Sequence, residues 1–173
     1  MKVANFLWYF LFQVKEVNSV DEQEKHINLK MENIPKVLQY IDYLSDIEED
    51  DYIHYDKEHE FEYTPQFYGF IQALFDTGLV ENYDKLVEHI SLGSDNEHER
   101  CELFSQWMKT MNQTISRPCE MRETDIHFIR RAFLTIIRME KIFPGSWGID
   151  IETGTWLRLL QRVKILYESG ELD

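Results

Sequence analysis

Arg138, Glu140, Trp147 and Glu152 bring charge and an aromatic surface together near the C-terminal end of the chain. A guanidinium grips a carboxylate or phosphate through two parallel N–H bonds, and an indole supplies a flat apolar wall. Gathered in one pocket, these four residues would suit an anionic small molecule, as ligand or as the substrate of an enzyme. Positions 138 and 140 are two apart and do not face one another on a helix. The neighbours of Glu140 are therefore Gly145 and Trp147, past the turn Phe143-Pro144-Gly145-Ser146-Trp147-Gly148. The spacing favours a structural role, in which Glu140 accepts backbone N–H bonds at the next helix start and Trp147 fills the core.

A second constellation is the acidic run with interleaved tyrosines, Glu48, Glu49, Asp50, Asp51, Asp56, Glu58, Glu60 and Glu62. Carboxylates on a rigid surface can imitate phosphate spacing and occupy the basic groove of a nucleic-acid-binding protein, as an inhibitor would. More generally they steer a basic protein partner. His54 shares one strand face with Asp56, Glu58, Glu60 and Glu62, the donor types of a divalent-cation site. Same-face residues sit about 6.5 to 7 Å apart along a strand, too far to close a site without a second element. A solvated acidic face is the expectation, with neither metal nor cofactor.

Other chemistries find no support. There is no G-x-S-x-G elbow, no His-Glu-x-x-His pair, and the glycines at 145, 148 and 154 are spaced for turns rather than for a phosphate cradle. The chain of 173 residues carries a net charge of −14, which speaks against direct nucleic-acid or anionic-membrane binding. The charge is polarised: Glu16 to Glu102 holds 23 acidic and six basic residues, whereas Leu103 to Asp173 holds nine and ten. Cys101 and Cys119 lack partners at zinc-ligand spacing, so free thiols in a reducing cytoplasm are expected. Cys101 is expected as a small buried hydrophobe.

The elements that must position these residues are mostly helical. Asn33 and Pro35 open a helix over 34 to 46, which should stop at Glu48 to Asp51 because acids oppose the dipole at a C-terminus. Tyr52 to Tyr63 alternates, as one extended segment or as a short hairpin turning near Asp56-Lys57. Thr64-Pro65 starts a helix that Gly78 ends. A short helix follows over Asn82 to Ile90, then one opened by the Ser94-x-x-Glu97 capping box. Thr124 caps a helix with the stripe Ile126, Ile129, Phe133, Ile136 and Ile137, leaving Arg130, Arg131 and Arg138 on other faces. Gly154-Thr155 begins the last helix, which runs to Gly170.

The expected fold is mainly α, a single-domain bundle of about six helices with one short β-like segment near residues 52–63 and the C-terminal helical pair as its core. The domain spans 31–173. Residues 1–30 read as an extension, an apolar helix plus a polar linker, too short to span a bilayer. A strand added to a sheet edge is the alternative to that helix, and a third reading, that these residues are not native to the domain, rests on Lys15 to Asn18, which can be encoded by a purine-rich run like a bacterial ribosome-binding site with Val20 or Met31 downstream.

Arg138-x-Glu140-x-x-Phe143-x-Gly145-x-Trp147, followed by Glu152-x-Gly154 and a leucine-rich closing helix, resembles the bacterial domain-of-unknown-function family 6508. Tyr63-x-Pro65-x-Phe67, Gly78 and Tyr83-Asp84 look similar too, so that the resemblance covers roughly Glu32 to Leu166. It implies a bacterial or phage origin and no particular activity. Taken together, an uncharacterised cytoplasmic binding or interaction protein is expected.

Overall fold

A computed structural model describes residues 28–55, 61–80 and 97–172. The Asn82–Ile90 helix, Ser94 and most of the N-terminal extension lie outside the described residues. The protein is mainly α, with a small two-stranded sheet.

A 3-10 turn, Met31–Asn33, leads into α1 (Ile34–Leu38) and α2 (Tyr40–Ser45). One expected helix is thus two, divided at Gln39. Asn33 does not cap it. Its Nδ2 instead donates to the Asp76 carbonyl at 2.9 Å, tying this entry to the end of α4 (Pro65–Thr77), where the Lys30 N–H also meets the Thr77 carbonyl.

The acidic run takes a different role from the expected one. Glu48 caps a short helix of its own, α3 (Glu49–Tyr52), with Glu48 and Asp51 each accepting from the other's backbone N–H. The carboxylates lie at a helix N-terminus, where the dipole favours them. Strands β1 (Ile53–Tyr55) and β2 (Phe61–Tyr63) follow as an antiparallel hairpin, with Ile53 opposite Tyr63 and His54 opposite Glu62. The hairpin form of the expected extended segment is the one adopted, and its turn, expected near Asp56-Lys57, lies outside the described residues. An isolated hairpin of this size is marginal in water; this one is held by the burial of Tyr52 and Tyr63 at its base.

Thr64 caps α4 through its hydroxyl, Pro65 takes the first helical position, and Gly78 ends the helix at φ +76°. Phe67, Phe70, Ile71 and Leu74 fill its inner face. The remaining helices are α5 (Glu97–Ser116), α6 (Pro118–Met121), α7 (Ile126–Ile142), α8 (Ser146–Glu152) and α9 (Thr155–Ser169). Asp125, not Thr124, caps α7 by accepting the Phe128 N–H at 2.8 Å. The Thr124 hydroxyl is spent on the Met121 carbonyl.

Helix α7 is buried all round from Ala132 to Arg138, the mark of a central helix. α9 touches α1, α2, α5, α7 and α8. Its Trp156 is fully buried, with ring contacts to Phe67, Phe70, Phe133 and Trp147. Aromatic rings from three other helices therefore meet on one indole, whose N–H is satisfied by the Trp147 carbonyl. Arg162, also on α9, anchors the start of α7 through two bonds to the Thr124 carbonyl, at 2.8 and 2.7 Å. No helix among the described residues is long and apolar enough to cross a membrane.

Candidate functional site

The C-terminal end of α7 carries Glu140 into the turn before α8. One carboxylate oxygen accepts the Gly145 N–H at 2.7 Å. The other accepts the Trp147 N–H at 2.8 Å, the Ser146 hydroxyl at 3.2 Å and the Tyr63 hydroxyl at 2.9 Å. The turn achieves this because Gly145 adopts φ +94°, which points successive N–H groups inward; a side chain there would be strained. A carboxylate among backbone donors at a helix start is well stabilised. Four donors also leave little acceptor capacity for a ligand.

Burial, and then the adjoining charge of Glu140, raise the pKa of Tyr63 well above the ordinary tyrosine value. Its hydroxyl therefore stays protonated and donates. Trp147, one residue into α8, is 9 % exposed and its indole N–H donates to the Ile136 carbonyl, which closes α8 onto α7. Tyr63 and Phe67 stack obliquely on the same indole.

Of the four residues singled out by type and spacing, Glu140 and Trp147 are brought together. Glu152 is exposed at the far end of α8, where it accepts the Tyr52 hydroxyl at 3.3 Å. Gly148 makes room for that tyrosine: a Cβ there would come within 3.3 Å of its ring. Arg138 is 8 % exposed, inside the buried run of α7 rather than on an outer face. No member of the quartet lines the cleft found beside α8, which is bordered by α5, α7, α8 and the start of α9.

Residues 104–169 match a family of unknown function, DUF6508. The matched stretch runs from α5 to the end of α9 and contains the whole Arg138-to-Trp147 pattern. The DUF6508 match begins later than the resemblance drawn from Glu32 onward, and Tyr63, which completes the Glu140 cluster, lies upstream of it. No curated protein and no solved structure matches the chain.

Glu48, Glu49, Asp50, Asp51 and Glu62 are all exposed. Asp56, Glu58 and Glu60 lie outside the described residues. The backbone of the run is fixed to the core: the Asp51 carbonyl accepts from both Tyr43 and Thr64 hydroxyls, at 2.8 and 2.7 Å, and the Thr64 N–H meets the Tyr52 carbonyl. His54 lies 3.5 Å from Glu62 across the hairpin. No group of three or more potential metal ligands occurs among the described residues. Both cysteines are free thiols, Cys101 half-buried rather than buried and Cys119 exposed.

Three contributors escaped the sequence reading. Tyr63 makes its contact 77 positions away, and only the Tyr63-x-Pro65-x-Phe67 resemblance pointed near it. Asp150 and Arg158, on α8 and α9, line the cleft beside them, and no motif marks either one.

Proposed function

We propose that the protein is a cytoplasmic binding module that engages a basic protein through the acidic edge formed by α3 and the hairpin. The observation that carries this reading is the mounting of Glu48 to Asp51. These consecutive carboxylates have no ion-pair partner among the described residues, although ion pairs form elsewhere, as between Arg117 and Glu120. The backbone beneath them is held by Tyr43 and Thr64. Exposed like charges repel one another and would relax apart on a mobile loop; on a fixed turn they hold a steady negative potential. The overall charge of −14 adds to it.

Two further facts support binding over catalysis. Glu140, the most promising acid in the sequence, has its oxygens occupied by four internal donors. The match to DUF6508 brings no activity with it. The free thiols of Cys101 and Cys119 fit a reducing compartment.

The test is capture of partners from the native host by the wild type and by an E49Q/D50N/E62Q variant, at about 0.1 M and about 1 M salt. Across that range the screening length falls from about 10 Å to about 3 Å. The expected partner has a basic surface, is released at high salt and is not retained by the variant. Capture indifferent to both salt and variant would overturn the proposal.

A further inference from the structure

Beside α8 lies a cleft of about 360 Å³, within the usual range for small-molecule sites of roughly 300 to 1,000 Å³. Every residue lining it falls inside the 104–169 stretch that matches DUF6508. Its inner surface is aliphatic and thioether: Met111, Ile115 and Ile136 are buried, with Met108 and Met139 partly covered. Unbranched methionines adapt to the shape of an apolar guest. At the rim Ile149 is 62 % exposed.

Asp150 lies next to Ile149 in this apolar setting. Its carboxylate takes a hydrogen bond from the Thr155 side chain and feels Glu140, which is of like charge. It has no ion-pair partner among the described residues. Arg158 also lines the cleft, but its guanidinium is turned to the α8–α9 corner: Nη2 donates to the Thr153 carbonyl, and Nη1 lies 3.1 Å from where a Cβ on Gly154 would sit. α5 contributes only the neutral Asn112 and Ser116 among its polar groups there. A carboxylate partly withdrawn from water with no cation in ion-pair contact is a costly arrangement that a closer cation would relieve.

We propose that the cleft binds a small amphipathic amine, its ammonium seated on Asp150 and its hydrocarbon body laid along Met111, Ile136 and Met139. The site is distinct from the acidic edge and does not depend on it. An amine is favoured over a carboxylate because Asp150 lines the cleft and Glu140 adds negative charge from behind it, while Arg158 gives Nη2 to the Thr153 carbonyl and keeps its partnerless Nε buried, out of a ligand's reach. Burial first, and then Glu140, raise the acid to a pKa of about 6. The ammonium should therefore be lost as pH falls through that value and Asp150 takes a proton.

Calorimetric titration of the full chain with hexylamine, hexanol and hexanoate tests this. At pH 7.5 hexylamine is expected to saturate one site, hexanol to bind about tenfold more weakly, and hexanoate not to bind. D150N should bring hexylamine down to the level of hexanol, and E123Q, a carboxylate change outside the cleft, should leave it unchanged. N112W, which narrows the cleft from its exposed α5 side, should abolish both and decides the matter if D150N does not fold. Equal binding of hexanol and hexylamine, preference for hexanoate, no saturable amine binding, or full amine affinity in D150N or N112W would overturn the proposal.

Discussion

The Tyr63 hydroxyl donates to Glu140 at 2.9 Å across 77 positions of sequence. This bond joins the last residue of the hairpin to the last turn of α7. It links a segment outside the DUF6508 match to the pattern at its centre. The carboxylate it reaches also holds Gly145, Ser146 and Trp147, so one side chain fixes both the helix start and the base of the acidic edge.

Neutralising the acidic edge should separate binding from folding. Glu49 and Asp50 lie in the first turn of α3, exposed, so E49Q/D50N loses only the dipole interaction, about 0.3 to 1 kcal/mol per charge. Glu48→Ala or Asp51→Ala breaks the reciprocal cap and should cost about 1 kcal/mol. Urea denaturation measures both. A large loss from E49Q/D50N would mean that those carboxylates hold the fold instead of facing a partner.

Glycines at left-handed positions are not equivalent. A Cβ on Gly78 would approach the Asn28 carbonyl oxygen to 2.7 Å, whereas nothing lies within 4 Å of one on Gly170. Gly170→Ala is expected to cost about 1 kcal/mol, from backbone strain alone, and Gly78→Ala about 3 kcal/mol or more. Thermal melts of the two variants side by side check the order. Equal losses would mean that residues 28–30 do not pack on the end of α4.

Asp150 predicts a pH dependence of known sign. Its folded pKa of about 6 lies above its ordinary value of 3.8. Folding therefore favours the protonated acid, and stability falls as pH rises from about 4 to about 6, then levels. D150N, neutral throughout, should grow more stable than the wild type over that interval, by up to about 3 kcal/mol. Parallel stability curves for the two proteins from pH 4 to 7 would contradict the burial of this carboxyl.

What the sequence disclosed was local. Thr64-Pro65 and Gly78 bracket α4 as their chemistry demands, because a cap and a left-handed stop act within one turn. Thr124 and Asp125 are both capping types, and local chemistry did not decide between them; the nearby Met121 carbonyl, which binds the threonine hydroxyl, did. The acids at 48 to 51 were set at the end of one helix because nothing in their pattern marks a second, four-residue helix beginning there. The Glu140 cap was legible from the spacing to Gly145 and Trp147. Its fourth donor, Tyr63, was not, since that contact exists only once the hairpin is packed on α8. Asp150 looks like any polar residue on a short helix, and its burial is a tertiary fact.

The central claim is that the Arg138-to-Trp147 pattern holds the fold through Glu140. A double-mutant cycle of E140Q and Y63F, followed by urea denaturation, tests it most directly. E140Q leaves one acceptor oxygen for four donors and should lose about 2 to 4 kcal/mol; Y63F should lose about 1 to 2 kcal/mol, and the pair should lose less than the sum by at least about 0.5 kcal/mol. If E140Q is as stable as the wild type and the two changes are additive, Glu140 is not the clamp, and its carboxylate is free for the ligand chemistry that the geometry denies it.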